Sequence, residues 1–265
     1  MLLRETGFTF NGIHSRNDMG LIYAEKDGHA VIPKINRNEY RIAGMSGTVL
    51  LPGETWDTMT FEGTLYPAEE RATQAEAQAM IRNVAAWLTA GRAPLIFDYE
   101  PDKFYLAQLS DRTRWSLKNW FGGELGVKFD AQPYAYAVTE SYGQQTAASN
   151  ASQTVHLDLS TGLSAPVRLE TENTGEATIT RVRMGTSVDL NGLELLTGDK
   201  IVIDFEPPMG AVIVRADTTV ENALPYAAAF EPVYAENGIN SVSVRVTHGS
   251  GTKRAVHRVY ARGRW

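Results

Sequence analysis

Short runs of alternating apolar and polar residues make up most of this chain, and they limit its fold more than any other feature. Examples are Glu124–Asp130 and Asn240–Val246, and Gly, Asn, Asp or Pro separates such runs from one another. Alternation puts successive side chains on opposite faces of a strand, and turn residues between short strands are typical of antiparallel sheets. The sequence therefore predicts a mainly β protein.

Two hairpins can be predicted from their turns. Asn11-Gly12 is the residue pair that a tight hairpin turn favours, and aromatic residues precede it. Pro101 and Asp102 lie between the apolar runs 94–99 and 104–109, and both residue types favour turns because Pro presets φ and Asp can bond its own backbone.

One segment has instead the spacing of an amphipathic helix. Thr73 and Glu76 have the residue types of a capping box, and Gly91 can end the helix by adopting a left-handed conformation. Between them, apolar side chains recur on one helix face: Ala77, Met80, Ile81, Val84 and Leu88. We predict a helix over about 74–90 that covers a sheet with its single apolar stripe.

The stretch 142–154 divides the chain in two. Its small, polar residues have almost nothing to bury, so nothing offsets the entropy lost on ordering, and the stretch is predicted to be a linker. We expect a barrel-like or sandwich domain with one covering helix over 1–141. A β-sandwich is expected over 155–265, and its last strand can also pack back on the N-terminal domain. Turn-separated runs predict its strands: 154–159, 167–171, 177–184, 187–190, 200–205, 211–216 and 240–247.

Composition excludes several classes of function. A net charge of −6 over 265 residues argues against a nucleic-acid partner, which needs a basic stripe. The chain has no cysteine, so thiol catalysis, thiolate metal sites and disulfides are excluded. No signal peptide or membrane-spanning run is recognisable. We therefore expect no membrane insertion, and synthesis and assembly in a cytoplasm.

A search for catalytic and metal-binding patterns finds none above background. The five histidines are scattered, and His156 with Asp158 could hold a metal only with a third ligand. Asp98 and Glu100 alternate on one predicted strand, where solvated charge is the simpler interpretation. The stretch 248–253 lacks phosphate-loop spacing and is predicted to be a hairpin turn. We expect no catalytic residue, metal or cofactor, and hence no enzyme.

Large aromatic residues cluster near the middle of the chain. Trp115, Trp120 and Phe121 lie close together between two strand regions. Such residues belong either to a core or tucked loop, or to a subunit interface, where Trp and Tyr are enriched. The sequence leaves both interpretations open.

Several weak motifs follow one another in a recognisable order. The first is an aromatic hairpin followed by Ser and Gly-Leu: Phe8, Phe10, Asn11, Gly12, Ser15, Gly20 and Leu21. The next is a Gly44-x-x-Gly47 turn before an apolar strand and Trp56. Turns in the second half complete the series: Asn173-Thr-Gly175, Leu190-Asn-Gly192, Thr197-Gly-Asp199 and Glu236-Asn-Gly238. This order resembles the siphophage distal tail protein family, although Met45-Ser46 stands where that family commonly has Arg-Asp.

The resemblance implies a structural protein of a bacteriophage or prophage tail tip. Its N-terminal domain would form a hexameric ring that joins the tail tube to the baseplate or tail hub. Its galectin-like C-terminal sandwiches would project outward and present host-attachment components. The implied partners are therefore other copies of the chain, the tail tube protein and hub or fibre proteins. As ring and tube contacts we predict Phe8, Phe10, Trp56, Trp115, Trp120 and Phe121.

Two alternatives stay open. A β-sandwich can also bind a host-surface glycan by stacking the sugar on an exposed aromatic ring. The candidates for a glycan or partner contact in the second domain are Tyr226, Phe230 and Tyr234. The second alternative is a glycan-active enzyme, which lacks any recognisable set of catalytic residues.

Overall fold

The structure is a computed structural model that describes residues 7–26, 33–44, 46–69, 73–110, 115–119 and 122–265. It consists mainly of β-strands, as predicted, and contains one α-helix within these ranges. The chain divides into two compact units, Met1–Tyr136 and Ala137–Trp265.

The N-terminal unit is built around one large antiparallel sheet. Its strands are β1 (Phe8–Phe10), β2 (Ile13–His14), β3 (Leu21–Glu25), β4 (Ile35–Tyr40), β5 (Val49–Trp56), β6 (Met59–Pro67), β7 (Ala93–Phe97), β8 (Lys103–Leu109), β9 (Trp115–Asn119) and β10 (Gly122–Ala137), with helix α1 (Gln74–Leu88) between β6 and β7. The order in the sheet is β2-β1-β7-β8-β10-β6-β3, and β9 pairs with β10. Strands β4 and β5 form a separate two-stranded hairpin.

The predicted helix and both predicted hairpins are confirmed. The Thr73 hydroxyl accepts a hydrogen bond from the Glu76 amide, and the Glu76 carboxylate accepts one from the Thr73 amide, each at 3.3 Å. The helix ends at Leu88, two residues earlier than Ala90. Thr89 is its C-cap and its hydroxyl donates to the Ala85 carbonyl at 2.8 Å, and Gly91 has the expected positive φ, at 82°.

The first hairpin has its turn at Asn11 and Gly12, which both adopt positive φ values of 51° and 76°. The second joins β7 to β8 as antiparallel neighbours.

The two phenylalanines of β1 lie in the core of the N-terminal unit and have no exposed surface. Phe8 stacks on Trp87 of α1 with ring centroids 5.5 Å apart, and the Trp87 indole N–H donates to the Phe10 carbonyl at 2.8 Å. The prediction that Phe8 and Phe10 form ring contacts is therefore corrected. Both side chains are needed to hold the helix on the sheet and offer no surface to a neighbour.

The C-terminal unit is a β-sandwich, as predicted. Its strands are β11 (Ser141–Ala147), β12 (Gln153–Leu159), β13 (Ala165–Asn173), β14 (Ile179–Met184), β15 (Val188–Leu195), β16 (Lys200–Asp204), β17 (Gly210–Val214), β18 (Val220–Asn222), β19 (Ala227–Phe230), β20 (Tyr234–Ala235), β21 (Gly238–His248) and β22 (Ala255–Ala261), and a 3-10 turn covers Leu224–Tyr226. One sheet has the order β11-β22-β13-β16-β17-β18, with β20 on β13, and the other β12-β21-β14-β15-β19. All seven predicted strand segments contain observed strands, and inward residues from both sheets form one core.

The predicted linker is wrong, and so is the domain boundary that rested on it. Strand β11 begins at Ser141 and covers the first half of the stretch up to Ala147, β12 begins at Gln153 within it, and β11 pairs with β22 along its whole length. The backbones of β11 and β12 approach closely at Gly143, and a Cβ there would lie 1.9 Å from the carbonyl oxygen of His156 in β12. The units therefore divide at residues 136 and 137.

Two further expectations about the end of the chain are corrected. The last strand, β22, lies between β11 and β13 in the sheet of its own unit. The segment 249–254 is no hairpin turn, since it connects β21 of one sheet to β22 of the other. Gly251 still has the expected positive φ, at 116°.

We predict that Trp87→Ala lowers the free energy of unfolding of the N-terminal unit by about 3–5 kcal/mol, since it leaves a large cavity against Phe8. Trp87→Phe should cost about 1–3 kcal/mol, because the Phe10 carbonyl loses the indole hydrogen bond and the smaller ring fills less of the core. Urea unfolding followed by tryptophan fluorescence and circular dichroism measures both. The exposed Arg82 on the same helix gives the control, and Arg82→Ala should change stability by no more than about 0.5 kcal/mol.

Candidate interaction surfaces

Among the described residues of the N-terminal unit, the two-stranded hairpin of β4 and β5, here called the arm (residues 35–56), exposes the most large apolar side chains. Tyr40 is 66%, Ile42 48% and Val49 40% exposed. An isolated two-stranded hairpin is at best marginally stable in water, and exposed apolar groups next to one another are typical of interaction sites. The arm thus has the properties of a segment that packs against another chain.

The base of the arm is attached to the large sheet. The ring of half-buried Trp56 lies 5.5 Å from that of Tyr134 in β10, and the Asp57 amide donates to the Lys34 carbonyl at 2.8 Å. Of the other predicted contact residues, Trp115 lies in β9, where its backbone pairs with Leu125. Trp120 and Phe121 lie outside the described residues. The predicted role of Trp56 and Trp115 in a subunit contact stays a prediction.

The three aromatic residues predicted to contact a glycan or partner lie on three different elements of the C-terminal unit. Tyr226 ends the 3-10 turn and Tyr234 lies in β20, where it pairs with Pro166. Phe230 of β19 is half-buried, with its ring 5.4 Å from the core residue Phe205. Phe230 therefore contributes to packing, while Tyr226 and Tyr234 are 38% and 50% exposed.

A different aromatic surface lies on the outer face of the larger sheet of the sandwich. Tyr142 of β11, Tyr260 of β22 and Arg168 of β13 are register partners in one cross-strand row. The two tyrosine rings are 5.9 Å apart, and the Arg168 guanidinium lies 4.5 Å from the Tyr260 ring centre. Arg168 is held by Glu140 at 2.8 Å, and Tyr142 is 64% exposed.

We call this row the tyrosine row. The sequence alone does not reveal it, because the small polar residues around Tyr142 predict a linker. The alternation of Tyr142, Gln144 and Thr146 was the signal that could have revealed a strand there.

Groups that could perform catalysis are engaged in structural contacts. The His14 ring accepts hydrogen bonds at Nδ1 from the amides of Arg16 and Asn17, both at 3.0 Å. The proton therefore lies on Nε2, which donates to Asp98 at 3.0 Å, so no ring nitrogen is left to act as a base. Glu100, the other member of the predicted carboxylate pair, binds Lys103 at 2.6 Å. The described part of the chain contains no group of three or more residues able to hold a metal ion.

The turn motifs of the second half organise one end of the sandwich. Asn173 is fully buried, and its amide nitrogen donates to the carbonyls of Ala177 and Leu195 at 3.0 and 2.9 Å. Asp199 accepts from Arg215 at 2.8 Å and from the Leu196 and Ala216 amides at 2.9 Å. Burial alone would raise the pKa of the Asp199 carboxyl, but these donors together hold it below its usual value. These polar groups therefore stabilise turns.

A buried histidine lies in the core of the C-terminal unit. His257 of β22 has no exposed surface, and its Nδ1 lies 3.0 Å from the Thr171 hydroxyl. Among the described residues its Nε2 has no hydrogen-bond partner. Burial lowers the pKa of His257 to about 4, and the nearby His248 contributes to this. The ring is therefore neutral in the folded protein at neutral pH.

Comparison with known proteins gives one informative result. No protein-family model and no curated protein matches this chain. Among solved structures, the chain is similar to SPP1 Dit (gp 19.1), described as a paradigm of the hub adsorption apparatus in phages that infect Gram-positive bacteria. Sequence identity is 12% and the TM-score is 0.68, over 98% of this chain and 99% of that one. At this identity the similarity shows a shared fold, and it confirms the resemblance noted in the sequence at that level. No helix in the described ranges is long and apolar enough to cross a membrane.

We predict that acid destabilises the C-terminal unit through His257. In the unfolded chain this ring takes up a proton near pH 6.5, but in the folded unit only near pH 4. The stability that the neutral ring provides is therefore complete above pH 6.5. It is lost as the pH falls towards 4, by up to about 3 kcal/mol at roughly 1.4 kcal/mol per pH unit.

Urea unfolding of the wild type and His257→Gln between pH 7 and pH 4 tests this prediction. The variant should lose part of the pH dependence, whereas His156→Gln, at an exposed position, should keep all of it. Parallel stability profiles for the wild type and His257→Gln would contradict the assignment.

Proposed function

We propose that this chain is a structural, non-enzymatic component of the tail tip of a bacteriophage or prophage. The observation that carries the proposal is the fold shared with SPP1 Dit, a hub protein, over 98% of this chain. The engaged state of His14, Asp98 and Glu100 agrees with a structural role. The protein would be synthesised and assembled in the host cytoplasm and located in the virion tail tip.

In this proposal the N-terminal unit forms a hexameric ring between the tail tube and the baseplate or tail hub. A closed ring needs heterologous contacts, in which one surface of a subunit meets a different surface of its neighbour. The arm fits this requirement, because its exposed Tyr40, Ile42 and Val49 would be covered by the next subunit. Trp56 lies at the base of the arm, whereas Trp115 pairs with Leu125, far along β10 from Tyr134, and would belong to a different contact. The C-terminal unit would be a galectin-like sandwich that presents fibre or other host-attachment proteins.

A glycan-binding module is the second candidate function, and the tyrosine row favours it. A pyranose ring can stack on the exposed Tyr142, and planar polar groups able to bond its hydroxyls lie two residues further along the strands, at Gln144 and Arg258. There, the Arg258 guanidinium donates to Gln144 at 3.2 Å and to Glu172 at 3.0 Å. Both functions are compatible in a tail tip that contacts a host surface.

The ring proposal predicts that Tyr40→Ser with Ile42→Ser prevents assembly without unfolding the chain. Removing apolar contact area from the arm should leave a monomer where the wild type forms a hexamer, because large apolar side chains dominate interface energetics. Mass photometry and negative-stain electron microscopy measure the assembly, and circular dichroism reports the fold.

The matched control is Val138→Ser, which removes an apolar side chain of similar exposure, 41%, outside the arm. This variant should assemble like the wild type. A wild-type chain that stays monomeric both alone and with the neighbouring tail tube and hub proteins would refute the ring.

The glycan alternative predicts that Tyr142→Ala abolishes binding to neutral oligosaccharides on an array, whereas Tyr142→Phe, which keeps the ring, retains it. Tyr226→Ala removes an exposed tyrosine elsewhere in the same unit and should have no effect. If the wild type binds no glycan on the array, the alternative is rejected while the tail-tip proposal stands.

A further inference from the structure

The outer face of the smaller sheet of the sandwich carries two arginines in directly opposite positions. Arg183 of β14 and Arg245 of β21 are register partners, and both alternate along their strands with buried residues: Val182, Met184, Val244 and Val246. Like charges opposite each other destabilise a pair of strands. Arg183 is also the register partner of Asp189 in β15, which offsets part of this cost, whereas the register partner of Arg245 in β14 is Arg183 itself.

Each of the two guanidinium groups is held by a hydrogen bond at its Nε atom only. The Arg183 Nε donates to the Asp189 carboxylate at 3.3 Å, and the Arg245 Nε donates to the Asn150 carbonyl at 2.9 Å. Asp189 is shared, because it also accepts hydrogen bonds from Arg181 at 2.7 and 2.5 Å. Within the described residues, the terminal nitrogens of Arg183 and Arg245 have no acceptor.

Hydroxyl groups lie next to this arginine pair. Ser243 is the next outward residue of β21, about 7 Å from Arg245 along the strand. Its hydroxyl lies 2.7 Å from that of Ser152, and its register partner in β12 is the exposed Thr154. The outer face of this sheet therefore presents two guanidinium groups, each with a fork of terminal N–H donors, beside several hydroxyl groups.

We propose that Arg183 and Arg245 form a binding site for the phosphate groups of a linear phosphate polymer. Guanidinium forks match phosphate oxygens in pairs, and the bonds at Nε fix the direction of each fork. Each internal phosphate of a linear polymer has two terminal oxygens, so neighbouring phosphates along the chain can each accept from one fork. A single carboxylate would have to be shared between the two forks, as Asp189 is shared between Arg181 and Arg183.

The exposure of the site favours a polymer over free phosphate. The Arg183 side chain is 40% exposed, and ionic contacts at such positions are weak because water competes for them. A polymer presents many phosphates to one site and to several copies of the chain, which raises the effective concentration of the ligand. The site is complete within one chain, so it does not depend on the proposed ring.

Calorimetric titration of the full-length chain with medium-chain polyphosphate tests the proposal. R183Q/R245Q should weaken binding by about tenfold or more, since charged hydrogen bonds to the ligand are lost. R183K/R245K keeps both charges but lacks the forks, and it should also weaken binding clearly. R82Q/R92Q removes the same amount of charge from exposed positions of the N-terminal unit and should bind like the wild type.

Several results would overturn the proposal. These are unchanged affinity in R183Q/R245Q, equal losses in R82Q/R92Q, or wild-type affinity in R183K/R245K. Inorganic phosphate that binds as tightly per phosphate as the polymer would exclude the polymer as the ligand. Stronger binding of dextran sulfate or single-stranded DNA would assign the face to another polyanion. Mass photometry of the same samples records assembly, so failure of the ring and failure of this site are distinguished.

Discussion

Each strand of the C-terminal sandwich has to bury one face and expose the other, and the rest of this unit follows from that constraint. In β13 and β22 every second residue is buried from one end of the strand to the other. A shift of one residue would put the charged set into the core, so the register is strongly determined. The same register produces the tyrosine row on one outer face and the pair Arg183 and Arg245 on the other.

The N-terminal unit obeys the same constraint, with a helix in place of the second sheet. Phe8 and Phe10 point from β1 towards α1, where Phe8 meets the Trp87 ring and the Phe10 carbonyl meets the indole N–H. This contact joins residues far apart in the chain. The arm lies outside this core and leaves its apolar residues exposed, which is why assembly is the function it suggests.

Features that depend on near neighbours could be predicted from the sequence. The capping box of α1 joins Thr73 to Glu76, and the first hairpin turn needs only Asn11 and Gly12 with positive φ, so both were predicted correctly. The small residues of the stretch 142–154 predict a linker, but they form a strand that pairs with β22 and packs closely against β12. The stretch itself does not reveal these distant partners. Phe8 and Phe10 were assigned to an interface because aromatic residues suit interfaces and cores equally well.

The sequence by itself determined the mainly β class, the single helix, the strands of the sandwich and the turns between them. These depend on periodicity and on backbone preferences of residues close in the chain. Only the tertiary structure decided which aromatic residues are buried and where the two units divide. It also decided that Tyr142 joins Tyr260 and that Arg183 faces Arg245. The physical reason is that strand pairing connects segments many residues apart, and local preferences contain no information about which segments pair.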